Sequence, residues 1–139
     1  MGASPSSAAF SASLSPSTDT RDLVIVQYVV LRKDIITALK WPLGAVVSQA
    51  CHASTAVIAA HADDADVQRY LRDADAMHKV TLEVPDEPAL RELSATLETA
   101  GIAHKLWVEM PESVATALAT KPYERAKVAQ FSRNLRLLG

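Results

Sequence analysis

The run Leu23–Leu31, LVIVQYVVL, constrains the fold more than any other part of the chain. It is nearly continuous, largely β-branched, and interrupted by one amide, Gln27. A strand that is apolar on both faces needs cover on both faces. Such a strand belongs in the middle of an α/β sheet, with helices above and below it. Arg32-Lys33-Asp34 ends the run, and Pro42 and Gly44 bound the loop that follows.

The first cover is Gly44 to Ala62, GAVVSQACHASTAVIAAHA, which has helical period and no Lys, Arg, Asp or Glu. On a wheel at about 100° per residue, Val46, Val47, Ala50, Cys51, Ala53, Val57 and Ile58 fall on one side. Ser48, Gln49, His52 and Thr55 fall on the other. The expectation is a helix seated on the sheet by its apolar side, with a thin polar stripe centred on His52. Gln49 and Ser48 precede His52 by three and four residues and neighbour it on that stripe. Cys51 points about 100° elsewhere, so a Cys51–His52 nucleophile–base pair fails on geometry. The Ser, Gln, His and Thr of this stretch interrupt its apolar run, and no membrane contact is expected.

Asp63-Asp64 signals a second helix over Ala65–Ala74, with Val67, Tyr70 and Leu71 inward. Met77–Val84 alternates as a second strand. Pro85-Asp86-Glu87-Pro88 opens a helix that Asp86 can cap, Leu90, Leu93 and Leu97 form its stripe, and Gly101 is placed to end it. His104–Met110 reads as a third strand and Ala115–Thr120 as a fourth. Pro122 is expected to open the last helix, burying Val128, Phe131, Leu135 and Leu138. Helical crossovers imply parallel pairing, and the short link after Met110 allows an antiparallel last pair. The expected fold is α/β: a three-layer α/β/α sandwich around a mixed four-stranded sheet, occupying 22–139. Residues 1–21, rich in Ser and Ala, are expected to be a disordered tail. Met1-Gly2 with Ser6 fits the myristoylation pattern, without a polybasic second signal.

A chain of 139 residues with 49% apolar content suits one domain with a real core. One cysteine excludes an internal disulfide and suits a reducing, cytoplasmic setting. The net charge of −2 is unevenly spread: from Lys121 onward five basic residues face one acid. Any nucleic-acid contact must come from a local patch. One cysteine and four scattered histidines make no metal-ligand motif. With four glycines there is no phosphate loop, and no G-x-S-x-G elbow occurs. What remains is a polar cluster of His52 and Gln49, the loop Arg32 to Trp41, and Glu109 at a strand end, where sites gather in open α/β sheets. His52 is a candidate general base on water, with Glu109 to orient it and Gln49 to position water or a carbonyl. Trp41 can stack on a base, whereas Trp107, inside a strand, reads as core.

Gln49-Ala50-Cys51-His52-Ala53 resembles the Q-C-S-H-A signature of the archaeal and eukaryotic (type 2) peptidyl-tRNA hydrolases. Lys79-Val80-Thr81-Leu82-Glu83-Val84-Pro85-Asp86-Glu87 resembles that family's K-V-V-L-x-V-P-D-E stretch. Trp41-Pro42-x-Gly44, His104-x-Leu106-Trp107-x-Glu109-x-Pro111-Glu112 and Lys121-Pro122-Tyr123 are similar to its divergent branch, the peptidyl-tRNA hydrolase domain-containing proteins. The resemblance covers about residues 22–138. It implies hydrolysis of the ester between a peptide and tRNA in translation, with no metal or other cofactor. It is compatible with a homodimer. It implies His52, Gln49 and Glu109 as catalytic groups, with Thr116 in place of a family threonine. Arg32, Lys33, Lys40 and Trp41 would contact tRNA. Two positions depart from the pattern. Ala45 stands where the family has Lys after the leading Gly. Glu109-Met110-Pro111-Glu112-Ser113 replaces the family's D-A-G-x-T loop. The alternative is a chain that keeps the fold without the chemistry and binds tRNA ends or a protein.

Overall fold

The computed structural model describes residues 20–139. The expected tail and the Gly2 modification pattern lie outside the described residues, except that Thr20 and Arg21 open a 3-10 turn, Thr20–Leu23. The apolar run becomes strand β1, Ile25–Arg32, buried on both faces after Ile25. β2, His78–Val84, pairs with it in parallel, with Val29 opposite Thr81. β4, Val114–Thr120, pairs with its other edge antiparallel, and β3, His104–Glu109, pairs antiparallel with β4.

The α/β class and the mixed sheet stand, but among the described residues the sheet has six strands rather than four, in the order β3-β4-β1-β2-β6 with β5 also on β1. β5 is Tyr123–Glu124 and β6 is Arg136–Leu137. Two residues carry no readable period, so neither strand shows in the sequence pattern. They also correct the last helix. Pro122 does not open it. Residues 123 and 124 pair with β1 first, and the helix runs only over Arg125–Ser132. Leu135 still packs on the core beside that helix, but Leu138 crosses to the opposite face, where its N–H donates to the Thr81 carbonyl at 3.0 Å.

Among the described residues five α-helices flank the sheet: α1 Asp34–Thr37, α2 Leu43–Ala60, α3 Ala65–Arg72, α4 Glu87–Thr99 and α5 Arg125–Ser132. Alternation along β1 builds two cores. Val29 and Leu31 meet Val46, Ala53 and Val57 of α2, while Tyr28 and Val30 meet Leu90 and Leu97 of α4 and Val128 of α5. Asp64 caps α3, accepting from the N–H groups of Asp66 and Val67 at 2.8 and 3.2 Å. Asp86 caps α4 through the Ala89 N–H at 3.0 Å. Gly101 ends α4 with φ +74°, the left-handed conformation glycine adopts without strain. In α3, Val67 and Tyr70 turn inward as expected, but Leu71 is exposed.

The wheel placement of α2 needs a correction that matters for the site. Its buried row is Val46, Gln49, Ala53 and Val57, while Val47 and Cys51 face solvent. The helix is rolled so that Gln49, not Val47, meets the sheet. By length and composition α2 could cross a bilayer, yet this fold lays it across the sheet.

Candidate active site

The site lies where α2 crosses the edge strand β3 and its neighbour β4. Strand alternation would put Thr116 on the same face as Leu118, away from α2. A register shift prevents this. Trp107 pairs with Ala117 and Val108 pairs with Ala115, so Thr116 is the extra residue of a bulge. Thr116 therefore turns toward α2 together with Ala117, and its hydroxyl donates to Gln49 Oε1 at 2.7 Å. Both residues are buried, at 0% and 3% exposure, so this bond gives each a partner where no water reaches.

The far side of the Gln49 amide donates to the Glu109 carboxylate. Glu109 Oε1 also accepts from the indole N–H of Trp107 at 3.0 Å. Trp107 and Glu109 are two apart on β3 and share its α2 face, so this second bond is local. The Trp107 bond, then the Gln49 bond, hold the Glu109 carboxyl below the usual carboxylate range, and the positive form of His52 adds to the effect. Glu109 is thus kept ionised. His52 is exposed, and its ring lies over the Trp107 indole with centroids 4.6 Å apart and planes 20° from parallel.

Four of the expected residues, His52, Gln49, Glu109 and Thr116, therefore meet on one patch. Gln49 is not on the solvent stripe but behind Glu109, where it can orient the carboxylate and cannot reach substrate directly. Ala45, one turn before Gln49 and two before His52, is on the same side of α2.

The expected tRNA contacts are less uniform. Arg32 is 7% exposed, and its guanidinium grips Asp34 with two bonds of 2.9 Å, donates to the Ala115 carbonyl at 3.1 Å and faces Glu87 at 3.6 Å. The Asp34 bonds raise its pKa further above the usual arginine value. Lys33 reaches Glu83 at 3.4 Å and the Gly139 carbonyl at 2.6 Å. Trp41 packs half-buried against the α2-side core. Lys40 is exposed, with φ +56°, and its ammonium makes no ion pair or hydrogen bond among the described residues. The same is true of Lys105, which no sequence motif marks as a phosphate ligand. Lys105 shares the α2 face of β3 with Trp107, since its partner Ala119 lies in the α2-side core as Ala117 does. The i, i+2 spacing of Lys105, Trp107 and Glu109 was the available signal for this row.

A second polar cluster lies on the opposite flank of α2. Gln27, fully buried in β1, donates to the Thr120 and Ser54 carbonyls at 3.2 and 3.3 Å and accepts from the Ser54 hydroxyl at 2.7 Å. Lys79 donates to Gln27 as well, and reaches the Tyr70 hydroxyl at 3.2 Å. Burial lowers the Lys79 pKa and pushes the Tyr70 phenol up to about 12. Every donor and acceptor here is used internally, which explains the one amide in the β1 run. Among the described residues, no group of three His, Cys, Asp or Glu side chains could hold a metal ion.

Residues 25–138 match the family model described as peptidyl-tRNA hydrolase PTH2. The chain is 48% identical over 115 residues to the Homo sapiens protein named "Putative peptidyl-tRNA hydrolase PTRHD1", covering 82% of each chain. It is 47% identical over the same length to the Mus musculus protein of that name, again with 82% of each covered. The chain belongs to the peptidyl-tRNA hydrolase PTH2 family, in its divergent domain-containing branch.

Proposed function

We propose that this chain hydrolyses the ester joining a peptide to the terminal ribose of tRNA, releasing free tRNA. The observation that carries the reading is an exposed imidazole, His52, beside a carboxylate, Glu109, that hydrogen bonds from Trp107 and Gln49 hold ionised. His52 takes a proton from water as its oxygen attacks the ester carbonyl. Glu109 stabilises the imidazolium so formed. The tetrahedral intermediate then expels the ribose oxygen, which recovers the proton from His52. Thr116 and Gln49 act behind Glu109, fixing the direction of its carboxylate. Lys40 and Lys105 supply the phosphate contacts that dominate nucleic-acid affinity.

Turnover of purified peptidyl-tRNA tests this directly. Native protein is expected to release free tRNA, and His52→Ala to lose about 10²–10⁴-fold in kcat while keeping its fold. A native protein with no turnover would overturn it. Ala45 favours a second reading, a binding module on a retained scaffold, because it leaves the site without the family's lysine. An oxyanion donor of that kind is often worth about 3–4 kcal/mol. If Ala45→Lys creates turnover that the native chain lacks, the second reading stands.

A further inference from the structure

We infer that Trp107 is the positioning residue of this site, a single ring that sets the separation and orientation of both His52 and Glu109. The inference rests on the hydrolase reading for its kinetic consequences, but its geometry stands apart from it. His52 comes from α2 and Glu109 from the end of β3, so nothing in either element alone relates one to the other. The indole touches both. Its face carries the imidazole at 4.6 Å, and its N–H holds Glu109 Oε1 at 3.0 Å. The ring is itself anchored. It packs into the α2-side core and sits opposite Ala117, beside the bulge that turns Thr116 toward Gln49. Its two contacts act in the same direction. A positive imidazole over an indole face is favoured by the ring quadrupole, and a negative carboxylate is favoured by the N–H. The imidazolium arises when His52 removes a proton from water, and the carboxylate beside it is ionised throughout.

Two variants separate the parts of this role. Trp107→Phe keeps an aromatic face under His52 and removes the donor to Glu109. Trp107→Leu removes both. In wild type, NMR is expected to find the His52 ring protons displaced upfield by the indole below them. That displacement is retained in Trp107→Phe and lost in Trp107→Leu. The Glu109 titration midpoint is expected to rise in both variants. In turnover, losing one hydrogen bond to the carboxylate should lower kcat roughly 10-fold in Trp107→Phe. Losing the alignment should lower it about 100-fold in Trp107→Leu, with KM within about threefold of wild type. Circular dichroism and urea melts check that each variant folds. Should Trp107→Leu fail to fold, Trp107→Phe still decides the donor role through the Glu109 midpoint.

The inference is overturned if wild-type His52 ring protons resonate at unstacked positions. It is also overturned if folded Trp107→Leu keeps the native kcat and pH profile, or if the Glu109 midpoint does not move in Trp107→Phe. If the native protein shows no turnover, the hydrolase reading fails by itself. The ring-proton shifts and the Glu109 midpoint then decide the positioning role alone.

Discussion

Thr116 shows how much a single hydroxyl does here. Its bond to Gln49 Oε1 lies where neither group can find water. Thr116→Val keeps the shape and removes the donor, stranding a buried amide oxygen. The expected cost is about 1–3 kcal/mol, read from a urea melt, with a parallel fall in kcat as Gln49 loses the bond that aims its N–H group at Glu109. Thr116→Ser should recover most of both, because it restores the hydroxyl. Arg32 makes the opposite point. Its position at the carboxyl end of β1 suggested a phosphate ligand, but its donors are committed to Asp34, Ala115 and Glu87. Replacing it with Met leaves two carboxylates that are each about a quarter exposed. Solvent screens part of the loss, so a destabilisation of about 2–3 kcal/mol is expected rather than the full value for a sealed pair. RNA affinity of the folded Arg32→Met protein should change less than about threefold, because this guanidinium is not available to a phosphate.

Elements were legible in proportion to how much of their burial is periodic. β1, β2, α4 and the Asp64 and Asp86 caps follow from pattern and turn chemistry, and the structure keeps each of them. The roll of α2 was not legible. Its small residues give two similar faces, and what selects one is the partner waiting for Gln49 across the sheet. The bulge at Thr116 was hidden for the same reason. Alternation is a local rule, and here a contact with α2, far away in sequence, overrides it. β5 and β6 are too short to have a period at all. Of the candidate site, His52 was readable from the polar stripe of its helix and Glu109 from its place at a strand end. Trp107 was not, because a half-buried strand tryptophan looks the same whether it only packs or also holds two polar groups. Where the element signal was clear, it yields a pH prediction. Asp64 accepts from Lys121 at 2.8 Å and from two N–H groups of α3. The Lys121 bond leads in holding its carboxyl below the ordinary value of 3.8. A folded-state pKa below the unfolded one means the stabilisation is complete above the unfolded value and fades as pH falls through the folded pKa. Thermal melts of wild type and Asp64→Asn should therefore differ at pH 7 and converge as pH falls below about 4. At pH 7 the cost should be about 1 kcal/mol, since the carboxylate is partly exposed and Asn still caps the helix. Equal differences across that range would show that Asp64 acts only as a neutral cap.

At the scale of the whole molecule, the question is how a chain of net charge −2 would hold the polyanion that the proposed function requires. The cations from Lys121 onward offered the obvious patch, yet two of the five are paired internally. Lys121 pairs with Asp64 and Asp66, and Arg125 with Asp22. Lys127 belongs to α5, which packs through Val128 on the face opposite His52. On the α2 face, Lys40 precedes the start of α2, and Lys105 lies on β3 two residues before Trp107. Two ammonium groups, one ahead of α2 and one on β3, make separate contact points and not a broad basic surface. This arrangement predicts weak RNA binding with a shallow salt dependence. For an acceptor-stem duplex, removing one ammonium from its phosphate should reduce the slope of log K against log salt by about 0.7–0.9. Lys40→Ala and Lys105→Ala should each remove about one such unit, and together about two, because the two groups sit at separate points and do not share a partner. Lys127→Ala should leave the slope unchanged. If that variant moves the slope while the other two do not, the nucleic acid lies on the α5 face, and the polar patch around His52 is not where it binds.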